Sequence, residues 1–281
     1  MEEALAWTRI VVSLVFLVYA SWSDLRTREV SNSVWVVFAP VALLLTFAQF
    51  LFFPPSGDVL ESMLFYAISF GVVFLFSLAL FYIGAFGGAD AKALMCLALA
   101  LPDPSAAEAV SAFAEPIFHV GFPLSGFTSP VFPITVFSNS VIIAALSVFY
   151  ALLRNLVWRT RTGHKLFDGY ANESLGRKVL ALLCGYKVEV GVLEKSFLYP
   201  LEDVKTNSLG ETERHLLLFP KDESREEIVT RLAEATEKEN AIQRMVWATP
   251  GLPMLIFITI GLVLALTLTD IVWIALGRIL V

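Results

Sequence analysis

Long apolar runs separated by short polar connections dominate the first 158 residues, and one more run closes the chain. Ala6–Trp22, Val34–Phe53, Leu60–Ile83, Val131–Trp158 and Leu252–Leu276 carry almost no charge. A helix needs about 20 apolar residues to cross a hydrocarbon core, so each run predicts a transmembrane helix. Pro54-Pro55 closes the second and a glycine cluster closes the third. Ala91–Leu101 is apolar too, but before Pro102 it rises only about 16 Å, half a bilayer. It predicts a partial span, or a helix that starts inside the membrane. The fold class expected is an α-helical integral membrane protein of about six transmembrane helices. Pro102–Pro130, with Glu108, Glu115 and several prolines and glycines, predicts a long loop dipping back toward the protein.

Between the fifth and last spans the pattern changes. Arg159–Trp247 is polar and charge-balanced with short apolar runs, which predicts a small α+β domain of cytoplasmic character. Tyr186–Val190 alternates with period two and Arg214–Phe219 is β-compatible, so a small antiparallel sheet is expected. Ser224-x-x-Glu227 is a capping-box pattern ahead of Ile228, Leu232 and Ala235, which share one helical face. The organisation expected is residues 1–158 as membrane helices one to five, 159–247 as the inserted domain and 248–281 as the final helix.

Composition agrees. Of 281 residues, 57% are hydrophobic and 16% charged, and the mean hydropathy is +0.72, which excludes a water-soluble globule. The net charge of −6 matters less than its placement. Arg26 and Arg28, Lys92, and the basic residues after Arg154 occupy alternate connections, while 54–59 and 102–130 contain no Lys or Arg. Cytoplasmic connections carry the positive excess, so the N-terminus is expected outside and the inserted domain in the cytoplasm. The first run lacks a basic leader and a small-residue cleavage pattern and is expected to stay as a membrane helix. No basic stripe with interleaved aromatics points to nucleic acid. Cys96 and Cys184 form no metal or disulfide pattern, His119 has no clustered ligands, and nothing sets an oligomeric state.

Ionisable groups at the edge of a membrane segment are expensive, so they are functional candidates. Asp24 ends the first helix and Asp90 follows the glycine cluster, both on the side assigned to the cytoplasm; Glu29 lies in the first inner loop, and Asp270 falls toward the opposite face. Two carboxylates from different helices on one side are the minimum apparatus for activating water. Gly87, Gly88 and Ala89 beside Asp90 would let an extended peptide approach the backbone, so bulk at Gly88 is expected to impair that approach. The plainer readings are an interfacial Asp24, an Asp90 that serves as a first-turn acid, and glycines that make a simple turn.

Ser23-Asp24-Leu25-Arg26-Thr27-Arg28-Glu29-Val30-Ser31-Asn32 before a membrane helix, then Gly87-Gly88-Ala89-Asp90-Ala91-Lys92-Ala93-Leu94, resemble the two catalytic regions of archaeal preflagellin and prepilin peptidases. These are membrane aspartyl proteases of the GxGD-like group, related to bacterial type IV prepilin peptidases. Trp247–Pro253 resembles the approach to the family's last helix. The resemblance implies that Asp24 and Asp90 are the catalytic pair, with no metal or cofactor. It implies a precursor substrate with a short basic leader ahead of a hydrophobic segment, cut at the cytoplasmic face. Gly-Gly-Ala-Asp departs from strict GxGD in the archaeal manner, and the cysteine-rich insert of many bacterial members is missing. A proton-coupled carrier and a non-catalytic assembly factor are the rival readings; the first wants acids at mid-membrane and repeated halves, the second tolerates loss of both acids.

Overall fold

The computed structural model describes residues 2–53, 59–118, 129–206, 212–217, 224–236, 245–251 and 253–279. In chain order the elements are α1 (Glu2–Thr27), α2 (Asn32–Phe52), α3 (Val59–Tyr82), α4 (Gly88–Ala100), α5 (Ser105–Phe118), α6 (Phe132–Thr162), α7 (Leu175–Cys184), β1 (Tyr186–Glu189), α8 (Val190–Lys195), β2 (Leu198–Pro200), β3 (Glu202–Thr206), β4 (Thr212–Leu216), α9 (Arg225–Thr236), β5 (Met245–Pro250), α10 (Met254–Leu268) and α11 (Ile271–Ile279). Two compact units form, Met1–Ala144 with Pro253–Val281, and Ala145–Leu252.

Among the described residues, α1, α2, α3 and α6 are long and apolar enough to cross a membrane, and α4 with the first part of α5 makes a fifth span if a pair bent by 73° is one crossing. The first unit is built around α4. Ala91, Ala93, Leu94, Cys96, Leu97, Ala98 and Ala100 are all buried, against α1, α2, α3 and α10. Alanines let the surrounding helices approach closely where lipid supplies no hydrophobic drive. The outer faces of α2 and α3 instead expose Leu44, Leu51 and Leu75, as lipid-facing helices do.

The C-terminal carbonyls of α4 have no partner within the helix, and the three outer helices supply them. Arg9 of α1, 2% exposed, donates its Nε to the Ala100 carbonyl at 2.6 Å; Thr46 of α2 donates to Leu99 at 2.6 Å; Ser69 of α3 donates to Pro102 at 3.1 Å. The Arg9 guanidinium also donates to Gln49 and reaches the Tyr66 hydroxyl, which donates to Asp103 at 2.5 Å. Asp103 in turn accepts from the Ser105 N–H at 2.9 Å, capping α5. This cap is why 105–118 is helical where a loop is expected from the sequence; His119 and Pro54-Pro55 lie outside the described residues.

The last apolar run also differs from expectation, being two helices rather than one. Thr269 turns left-handed at φ +62°, Asp270 accepts from the Val272 N–H at 3.0 Å as the cap of α11, and Asn139 of α6 binds both sides of the break, donating to the Thr269 carbonyl at 2.7 Å and accepting from the Ile271 N–H at 3.0 Å. Asp270 is thus a buried capping residue. α10 alone has 15 residues, about 22 Å, less than a full hydrocarbon core.

The second unit holds an antiparallel sheet in the order β1-β5-β2, with Lys187 opposite Trp247, and a β3-β4 hairpin. Both runs expected to be β form strands, β1 and β4, but in separate sheets rather than in one, β1 pairing with β5 and β4 with β3; the expected Ser224-capped helix is α9, the Glu227 N–H donating to Ser224 Oγ at 3.3 Å. One sheet face packs Tyr186, Val188, Val246 and Ala248 on α9 and on Ala151 of α6; the other packs Trp247 with Tyr170, Ala181, Leu201 and Leu216. Because both faces are covered, Lys187 is buried although period-two alternation points it to solvent. Its Nζ donates to Tyr170 Oη at 3.3 Å, Tyr170 donates to Glu202, and Glu202 also accepts from the Trp247 N–H at 2.7 Å and pairs with Arg214 at 3.6 Å. Burial draws the Lys187 pKa down to about 8, with Glu202 opposing.

Candidate active site

Asp24 sits in the last turn of α1, half-buried. The helix stops just beyond it because Arg28 adopts φ +57°, its N–H donating to the Asp24 carbonyl at 3.0 Å. Ser23 and Thr27 hydroxyls each donate to the Glu29 carbonyl at 2.9 Å, so Glu29 supports the turn through its backbone. Ser31 then caps α2, and Asn32 accepts from Lys92 Nζ at 2.6 Å. This contact ties the two sequence motifs together, a role for Lys92 beyond marking topology.

Asp90 lies in the first turn of α4, also half-buried, and accepts from the Gly87 N–H at 3.0 Å. Gly84, at φ +75°, makes the turn from α3 in a conformation that favours glycine. A Cβ on Gly87 would come within 3.1 Å of the Asp90 carboxylate, whereas one on Gly88 would meet Phe81 at an ordinary 3.6 Å. Crowding at the glycine cluster is therefore at Gly87, and the protein itself leaves room at Gly88. Ala89 packs against the core of the first unit.

Asp24 and Asp90 lie toward the same end of the helix pair because α1 and α4 run antiparallel. Arg9 is fixed to Ala100 at one end; from there Asp24 is about 22 Å along α1 and Asp90 about 15 Å along α4 toward the other end. The Lys92–Asn32 hydrogen bond joins the turn after Asp24 to the first turn of α4 at that end. Ser21, one turn before Asp24, meets Thr259 of α10 at 2.8 Å; Asp270 lies past the far end of α10, which ends at Leu268, and does not join them. Among the described residues no cluster of three His, Cys, Asp or Glu could hold a metal. Two carboxyl groups from separate helices at one end of the pair, one of them at a glycine turn, are groups that can hold and transfer protons.

The type IV leader peptidase family model matches residues 11–152, taking in both acids and the helices that carry them. The chain belongs to the type IV leader peptidase family. Residues 177–271 of this leader peptidase match a second model, the archaeal peptidase A24 C-terminus type II. The preflagellin peptidase of Methanococcus voltae is 27% identical over 92% of this chain and 94% of its own length; that of Methanococcus maripaludis is 24% identical over 89% and 90%. Family membership sets the chain among multi-pass membrane proteases rather than carriers. Arg9 escapes a reading that looks for acids, since one cation near the end of an apolar run barely alters its mean; its partners lie 40 and 91 residues away.

Proposed function

We propose that this leader peptidase is an aspartyl endopeptidase that removes a short basic leader from preflagellin-like or prepilin-like precursors at the cytoplasmic membrane face, with Asp24 and Asp90 as its catalytic pair. The observation that carries the reading is that the antiparallel α1–α4 pair, held by Arg9–Ala100 at one end and by Lys92–Asn32 beside the other, brings Asp24 and Asp90 to that same second end. The names of the relatives supply the substrate class, and the placement of Arg26, Arg28 and Lys92 supports the side of the membrane. With the bent α4–α5 pair and the broken α10–α11 pair each taken as one crossing, the chain crosses six times, the N-terminus is outside and residues 159–247 form the cytoplasmic domain.

One carboxylate of the pair is ionised and the other protonated. The ionised one takes a proton from water, whose oxygen attacks the scissile carbonyl carbon while the protonated one hydrogen-bonds the carbonyl oxygen. The tetrahedral intermediate then collapses: the C–N bond breaks, a proton passes to the leaving nitrogen, and a free amine and a carboxylic acid result. The titration belongs to the pair.

Full-length protein in proteoliposomes with a model precursor, a basic leader joined to a hydrophobic helix, tests this. Release of the leader with a new N-terminus at its boundary is expected. Failure to cleave, or cleavage inside the hydrophobic segment, counts against it. The glycine turn gives a second test. Gly87→Ala forces the Asp90 carboxylate aside by a few tenths of an ångström and is expected to lower cleavage about tenfold. Gly88→Ala fits the fold, so any loss of rate there with unchanged thermal stability reports substrate passing over Gly88. A Gly87→Ala rate equal to wild type would detach this turn from catalysis.

A further inference from the structure

The second unit carries an amphipathic helix with one face uncovered. On α7, Ala181 and Leu182 pack inward beside Tyr170 and Trp247. Leu175, Val179 and Leu183 recur at four-residue spacing on another side of the helix, with Leu180 beside them. Leu175 is 79% exposed, and Val179 and Leu180 are nearly half exposed. Ser174 caps this helix by accepting from the Arg177 N–H. Exposed apolar side chains in a row mark an interaction surface.

The end of α7 is fastened to a membrane-spanning helix at a definite height. Asn155 of α6, buried, donates to the Gly185 carbonyl at 2.8 Å and to the Leu182 carbonyl at 3.4 Å. Asn155 lies in the C-terminal part of α6, two turns before its end at Thr162. Around that level α6 exposes Phe149, Tyr150, Leu153 and Leu156, and Arg154 donates to the Tyr150 hydroxyl at 2.9 Å while lying over the Tyr186 ring. An exposed tyrosine, then Arg154, Arg159 and Arg161, is the aromatic and basic signature of a membrane–water boundary. Arg177 and Lys178 on α7 extend this basic collar; Arg177 pairs with Glu173 at 3.2 Å yet keeps over half of its side chain exposed.

From these contacts we infer that the outer face of α7 rests on the anionic headgroup layer of the bilayer that α6 crosses, Leu175, Val179 and Leu180 entering the upper acyl region and the arginines and Lys178 meeting lipid phosphates. An amphipathic helix with flanking cations binds such an interface by apolar burial and charge together. The inserted domain is then held to the membrane by a third element besides the helices that lead into and out of it.

The test is the depth of a spin label at position 179 (Val179→Cys with Cys184→Ser) in the full-length protein, reconstituted in nanodiscs of mixed anionic and zwitterionic lipid. Glu234→Cys on the exposed polar side of α9 is the reference. Position 179 should be several-fold less accessible than position 234 to a water-soluble nickel relaxant and more accessible to oxygen, and Leu175→Cys should repeat the pattern. Zwitterionic nanodiscs should lessen the protection; no change there would overturn the anionic contact. Equal accessibility at 179 and 234 would overturn the proposal, as would protection that appears only when the model precursor is added, which would make this face a protein-docking surface.

Discussion

Asp24→Asn and Asp90→Asn are each expected to cut leader cleavage by about a thousandfold or more while leaving the protein folded in the membrane. Asparagine keeps the shape of aspartate, and at position 90 its carbonyl oxygen can still accept from the Gly87 N–H, so the first turn of α4 survives. What is lost is the ability to hold and hand over a proton. In the proposed mechanism the two acids act as one unit, so the double variant should be no slower than the slower single variant; groups that work together are strongly non-additive. Initial rates on a model precursor, normalised to folded protein in the same membranes, read this directly. Wild-type rates in either single variant would remove the dyad from the mechanism.

Arg9→Met is expected to destabilise the membrane unit by about 3–5 kcal/mol, the range for removing one partner from a buried charged network. The methionine fills the space of the aliphatic stem, but the buried Ala100 carbonyl is left without its donor and the part-buried Gln49 side chain loses a charged partner. Thr46→Val and Ser69→Ala remove one neutral hydrogen bond each at the same helix end and should cost only about 1 kcal/mol apiece. Arg9→Lys keeps the charge and one donor, so it should fall between. Denaturation midpoints in lipid-containing micelles rank the four variants. An Arg9→Met protein as stable as wild type would mean that the guanidinium contributes nothing net to the fold.

What could be read from the chain, and what could not, divides by the distance over which each feature is made. The long spans are local: a run of apolar residues is sufficient reason for a helix in lipid, and α2 and α3 match their runs closely. The two acids stand out as candidates because charge at the edge of such a run is costly and both lie beside recognisable turns. β1 and α9 follow from period and capping over a few residues. The break between α10 and α11, by contrast, contains neither proline nor glycine; it is made by Asn139, which is 130 residues earlier in sequence. α5 is hidden for the same reason, its start fixed by Asp103 in a network that begins at Arg9. Lys187 reads as a solvent-facing strand residue because the side chains that bury it, Tyr170 and Trp247, come from other parts of the domain.

The separation between Arg9 and Ala100 also has a consequence for how the protein is made. The guanidinium precedes its carbonyl partner by 91 residues; at ~5–20 residues per second of synthesis, the first helix waits roughly 5–20 s before that partner exists. During the wait Arg9 must sit at the lipid boundary, because a cation deeper in hydrocarbon is costly. α4, only 13 residues long, is in turn too short to cross unaided. Biogenesis therefore includes a coupled step in which the short helix enters among α1, α2 and α3 and the arginine is drawn in with it. The first three helices reach the membrane before Asp90, the second acid of the proposed pair, has its place beside them.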